Sequence, residues 1–290
     1  MTGVQTCALP ISLARKRTRL LATAAGLFKA MDDCPACVAD EARPRTRLSV
    51  RGQSGAVDNR ALVVRAGADV RRLLDSKRSS LGHRTMIQAL DAAEPGADTL
   101  ITEYFPGLME QVELFARLPE LGLRRIVFRQ ASRTHGYFFS SHAHGRLDTL
   151  RSLGIDTYWY DETTRDLYVH TYKRERGFFV REEVAKRFAE STVLAFYGSA
   201  VGLDQKDSDR IATLVDKLTS FIGPNLGVLT GGGGGVMRLA TEQARTKGAL
   251  TGACFLELEA QPPELGVDFF NTFQESSRHF RQKWFEAADF

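Results

Sequence analysis

Five consecutive glycines, Gly231 to Gly235, constrain this chain more than any other feature. Each glycine inside a helix or strand costs about 0.5–1 kcal/mol in backbone entropy relative to alanine, so five in a row belong to a turn. Gly227-Val228-Leu229-Thr230 before the run reads as a short buried strand, and Val236-Met237-Arg238-Leu239-Ala240 opens a helix that continues through Arg245. The glycines therefore join a strand to a helix. There the backbone can approach a ligand closely, and the free N–H groups at the helix start face an anion, with a phosphate as the natural guest. A glycine run by itself reads equally well as a flexible turn. Its place at the carboxyl end of a strand, where open α/β sheets bind ligands, favours the site. The spacing is not GxGxxG followed by an acidic residue at a second strand end, which argues against a dinucleotide.

The flanking sequence repeats the strand–helix alternation. Val193-Leu194-Ala195-Phe196-Tyr197 is a buried-type strand ending in the small turn Gly198-Ser199-Ala200. Asp209 to Phe221 follows with Ile211, Leu214, Val215 and Leu218 on one face, and Gly223-Pro224-Asn225 breaks it. After Gly248 caps the next helix, Leu250 to Phe255 forms another strand. This order predicts parallel pairing through right-handed crossovers. The expected fold class is α/β, a Rossmann-like doubly wound parallel sheet, incomplete within this chain and preceded by a smaller α/β module.

That module, 60–190, carries weaker signals. Ala61 to Val64 and Arg125 to Arg129 read as strands, and Ala68–Leu74, Thr85–Ala93, Leu108–Leu118 and Leu147–Leu153 as helices, the last capped by Gly154. Asp156 to Tyr172 alternates as a β-hairpin would, and Arg181 to Glu190 reads as a charged helix. His135, His142 and His144 lie near Tyr137, Phe138 and Phe139; they read either as metal ligands or, with more weight, as residues of a polar loop. Lys173-Arg174-Glu175-Arg176 reads as a solvated charge run or, less readily, a phosphate contact.

Composition adds limits. A hydrophobic fraction of 43% and a charged fraction of 26% are those of an ordinary globular chain. No apolar run reaches the roughly 18 residues of a membrane span. The net charge of +4 comes largely from Arg, which supplies thirty of the thirty-nine basic residues; this fits a GC-rich gene better than a nucleic-acid-binding face. Cys34 and Cys37 form the one CxxC, too few ligands for a zinc site and without the preceding strand of a redox motif. The scarcity of cysteine suits a reducing, cytoplasmic setting.

Thr2-Gly3-Val4-Gln5-Thr6-Cys7-Ala8-Leu9-Pro10-Ile11 resembles the translation of a short-read sequencing adapter, so 1–11 is set aside from fold reasoning. Residues 12–59 are loop-like, expected to be disordered or an untranslated leader, with one helix around Leu20 to Met31. The domain expectation is thus 60–190 and 191–290.

Thr230-Gly231-Gly232-Gly233-Gly234-Gly235-Val236-Met237 resembles the T-G-G-G-x-G-I/V-M motif of the LOG family. Phe196-Tyr197-Gly198-Ser199-Ala200 is similar to that family's first strand and turn, and Phe280-Arg281-Gln282-Lys283-Trp284-Phe285 to its F-x-R-K-x-x-F helix. The similarity covers Val193 to Phe290. It implies a nucleoside 5′-monophosphate phosphoribohydrolase, which hydrolyses the N-glycosidic bond to free base and ribose 5-phosphate. By the same resemblance Gly231, Gly232, Gly233, Gly234, Gly235, Val236 and Met237 hold the substrate phosphate. Gly198 and Ser199 border the ribose and base, and Arg281 is catalytic. The ribose gains oxocarbenium character as the bond breaks, as in glycosidases. No metal or other cofactor is implied, and a homodimer is.

Two departures stand out. Gln282 follows the arginine where the family has lysine, and the family's P-G-G-x-G-T-x-x-E motif with its glutamate is absent; Glu257, Glu259, Glu275 and Glu286 do not stand at its position. The chain as written is therefore expected to bind a nucleotide poorly and turn over little. The alternative reading is a non-catalytic nucleotide or molybdenum-cofactor binder of LOG-like fold. A single-strand DNA-processing protein is disfavoured, because basic and aromatic residues do not interleave near the glycines.

Overall fold

The computed structural model describes residues 60–76, 84–198, 200–258 and 262–290, all within one compact unit, Ser54–Phe290. The expectations for 1–11 and 12–59, the CxxC, and the expected ribose-side Ser199 lie outside the described residues. The described strands are β1 (Ala61–Arg65), β2 (Ala97–Tyr104), β3 (Arg125–Gln130), β4 (Asp156–Tyr160), β5 (Leu167–Lys173), β6 (Arg176–Arg181), β7 (Thr192–Phe196), β8 (Leu226–Thr230), β9 (Leu250–Leu256) and β10 (Phe269–Phe273). They form a single ten-stranded sheet in the order β1-β2-β3-β4-β5-β6-β10-β9-β8-β7. The fold is α/β and Rossmann-like, and five of the nine neighbouring pairs are parallel.

Parallel pairing falls in two blocks, β2-β3-β4 and β7-β8-β9-β10, with helices in the β2–β3, β3–β4, β7–β8 and β8–β9 crossovers. Between them β5 and β6 form an antiparallel hairpin, and β6 pairs antiparallel with β10. The sheet thus runs straight across the expected boundary at 190/191.

The helices are α1 (Val70–Asp75), α2 (Met86–Asp91), α3 (Leu108–Leu121), α4 (Ser141–Ser152), α5 (Ala185–Glu190), α6 (Gln205–Ile222), α7 (Val236–Thr246) and α8 (Arg278–Phe285). Local chemistry sets several starts. Thr85 and Gln88 form a capping box on α2, Ser140 caps α4 through the N–H of Ala143, and Asp204 caps α6 through the N–H of Asp207.

Strand alternation sends successive side chains to opposite faces. On β7 and β8, Leu194 and Val228 pack under α6 and α7, with Val215, Ala240 and Ala244. Val193 and Leu229 face the other way, toward Phe188 of α5 and Trp284 and Phe285 of α8. A larger core unites the two halves: Phe128, Trp159 and Phe179 lie with Phe255 and Phe270 in one cluster. Trp159, fully buried, has its ring centroid 5.5 Å from Phe179 and 5.3 Å from Phe270. Burial of each large side chain contributes roughly 1.5–3 kcal/mol, so this seam holds the halves as one unit.

Several sequence expectations are corrected. Ala97–Tyr104 carries no strand signal in the sequence, yet it forms β2, an interior strand; it is buried on both faces, so the polar–apolar alternation that marks a strand is missing. Arg181 to Glu190 is not one helix: Arg181 ends β6, and only Ala185–Glu190 is α-helical. Lys173–Arg176 is not a loose charge run: it spans the tight β5–β6 turn, with Arg174 and Glu175 both at positive φ. Its cations tie elements together: Lys173 Nζ donates to the Phe188 carbonyl at 3.3 Å, and Arg174 pairs with Asp289 at 2.6 Å. His144 lies in no polar loop. It sits buried in α4, stacked on Phe273 at 4.7 Å, and its Nε2 is 3.1 Å from the Thr272 carbonyl.

Candidate functional site

The glycine run falls where the sequence places it, between β8 and α7. Two of its residues need glycine for separate reasons. Gly232 has φ +74, and a Cβ on it would overlap the Phe255 ring from the end of β9. Gly235 has φ +60 and forms the cap of α7, entering the helix at an angle closed to other residues. The turn is braced from inside: buried Thr230 accepts the Gly232 N–H on its Oγ1 at 3.1 Å.

The start of α7 is open to an anion. Gly235 provides no side-chain cap, and the first turn carries no acidic residue. The first intrahelical bond there runs from the Leu239 N–H to the Gly235 carbonyl at 3.1 Å. The preceding N–H groups of the turn therefore point outward with the positive end of the helix dipole. Val236 and Met237 serve as packing. The Met237 sulfur lies against Gly231, 2.9 Å from where a Cβ would stand, and Val236 packs against Gly198 at the end of β7. A Cβ on Gly198 would overlap Val236, so the β7 turn closes on the head of α7 only with glycine there.

Arg281 joins this group from α8. Its Nη1 lies 3.6 Å from the Cβ position of Gly231 and donates to the Cys254 carbonyl at 3.1 Å. Its Nε is buried without a hydrogen-bond partner. Burial pulls the guanidinium pKa below its ordinary value, with Arg278 adding to this and Cys254 and Tyr197 opposing it. An arginine remains charged all the same, so a half-buried cation with an unused, buried Nε donor lies beside the glycine turn. Burial holds the Cys254 thiol well above its usual range, so it is a neutral packing group there.

The structure thus brings together Gly198, Gly231 to Gly235, Val236, Met237 and Arg281, residues far apart in sequence. Next to Gly198, Tyr197 is 67% exposed and its ring lies 4.7 Å from Phe285. Past the end of β9 the structure also makes a pairing that the sequence does not signal. Glu257, just past β9, faces His135 from the β3–α4 connection, with Oε1 3.6 Å from Nδ1. Tyr197 was legible as part of the strand-end motif; the His135–Glu257 pair spans 122 positions and carried no local signal. A surface concavity of about 650 Å³ runs along α6 beside Gln205 and Arg210, and no glycine-turn residue lines it. Turn sites for phosphate are shallow and built from backbone, so the chemistry of the glycine turn marks the site.

No group of three or more potential metal ligands occurs among the described residues. None of the described helices is long and apolar enough to cross a membrane. Comparisons with protein-family models, curated proteins and solved structures gave no match.

Proposed function

We propose that the turn Gly231–Gly235 and the head of α7 hold the 5′-phosphate of a nucleoside monophosphate, in a phosphoribohydrolase of the LOG type. The supporting observation is one juxtaposition: a glycine turn with an uncapped helix start, and the half-buried Arg281 guanidinium beside Gly231 with its Nε unused. In this reading backbone N–H groups bind the phosphate dianion, and Gly198, closed against Val236, borders the sugar with its backbone. The exposed Tyr197 ring offers a face to the base. Arg281 meets the phosphate and ribose, holding the sugar as the C1′–N bond breaks and positive charge develops on the ring. Water then adds to C1′, and the base leaves with a proton, giving ribose 5-phosphate.

The test is a titration of the chain with AMP and GMP, with ribose 5-phosphate release followed in the same samples. Weak binding without release is the expected result, because the chain lacks the P-G-G-x-G-T-x-x-E motif and its glutamate. Measurable release of ribose 5-phosphate overturns the expectation that this chain turns over little. No binding to either nucleotide refutes the phosphate site itself.

A further inference from the structure

Away from the glycine turn, β2, β3 and β4 run parallel, and near their carboxyl ends they carry Glu103, Arg129 and Tyr160. Such strand ends are the general ligand position of open α/β sheets. A cavity of about 340 Å³ opens there, walled in part by Asp75, Arg129, Tyr160, Glu162 and Arg165. That volume suits a small metabolite.

Arg129 is its innermost wall, only 3% exposed. Its Nη1 pairs with Glu162, and its Nη2 donates to the Leu74 carbonyl at 3.0 Å. Its Nε makes no hydrogen bond but faces the buried carboxylate of Glu103 at 4.0 Å, an ion pair too long for one. A buried guanidinium N–H without a hydrogen bond is costly, and a ligand carboxylate that reached it would satisfy it. The guanidinium lies 5.5 Å from the Tyr160 ring centroid, and the Tyr160 hydroxyl donates to Asp75 Oδ1 at 2.7 Å. Arg165 stands in the β4–β5 turn at φ +60, its carbonyl held by Arg71 Nη2 at 2.7 Å. The rim is therefore positioned by named bonds.

The charges on these walls are mixed. Arg129 and Arg165 stand against Asp75 and Glu162. A phosphate would meet two carboxylates, and a simple cation would meet two guanidiniums. A molecule carrying both signs satisfies both sets. We propose that this cavity binds a small zwitterion of the α-amino-acid class, its carboxylate toward Arg129 and Arg165 and its ammonium toward Asp75.

The experiment is calorimetric titration of the whole chain with single L-α-amino acids, with inorganic phosphate as the competing probe. The expected result is binding of at least one amino acid, weakened about tenfold or more in both Asp75→Asn and Arg165→Ala, and not displaced by phosphate. Both substitutions change exposed side chains, and circular dichroism and urea unfolding verify that the fold is kept. The proposal is overturned by no amino-acid binding at about 10 mM, by unchanged affinity in the two variants, or by displacement with inorganic phosphate.

Discussion

Gly198 and Val236 stand so close that a methyl group on the first would overlap the side chain of the second. Gly198 lies in the turn just after β7, and Val236 is the first residue of α7. Their contact sets how near the first strand turn comes to the glycine turn. Gly198→Ala is expected to destabilise the fold by about 1–3 kcal/mol through overpacking and to weaken AMP binding. Urea denaturation gives the first number and titration with AMP the second; an unchanged midpoint would show that the turn yields freely.

Arg281 makes a single hydrogen bond among the described residues, to the Cys254 carbonyl. Its removal should therefore act on ligand more than on fold. Arg281→Ala is expected to lower AMP affinity about 10- to 100-fold, the loss of one charged hydrogen bond, while Arg281→Lys keeps part of it. Calorimetry on both variants decides the matter, and equal affinity in wild type and Arg281→Ala removes Arg281 from the site.

Two buried histidines couple stability to pH. Burial drives the pKa of His144 down to about 3, partly offset by its bond to Thr272, and burial aided by His144 and Arg151 does the same for His170. An unfolded histidine titrates near 6.5, so between about pH 6.5 and 3 the unfolded chain binds these protons and the folded chain does not. Stability contributed by their neutral forms is present above about pH 6.5 and is lost as pH falls through that window. The slope approaches about 1.4 kcal/mol per pH unit for each histidine. Urea unfolding at pH 7, 6 and 5 should show the decline, and His144→Phe should make it shallower.

Trp159 contacts aromatic residues from both halves of the sheet, Phe128 on β3 and Phe270 on β10. Trp159→Ala is expected to cost about 3–5 kcal/mol. The whole sheet should lose that stability together, in one transition by far-ultraviolet dichroism and by the fluorescence of Trp284. Two separated transitions would mean that the halves unfold independently.

Legibility in the sequence followed the range of the interactions. The elements around the glycines were readable because their signals are local: a buried strand, a run that only a turn tolerates, then helical spacing from Val236. The β4–β5 hairpin was readable from alternation between Tyr158 and Thr171. By contrast, β2 was hidden because both its faces are covered and Thr99, Thr102 and Glu103 are buried among apolar neighbours. The β5–β6 turn was hidden because Arg174 and Glu175 adopt positive φ without glycine, against the usual preference. His144 reads as a polar-loop residue because nothing in its local sequence reveals that Phe273 and Trp284, more than 120 positions away, enclose it.

By itself the sequence determined the α/β class and the turn-forming role of Gly231 to Gly235, since backbone entropy and side-chain periodicity act over a few residues. It also singled out Gly198 and Arg281 through a resemblance between motifs. Only the tertiary structure decided that a single sheet carries both halves, that the Arg281 guanidinium reaches Gly231, and that Arg129 lies buried at a second set of strand ends. Those outcomes depend on which strands pair across long loops and on which side chains that pairing strips of water, and neither is encoded in any short window of residues.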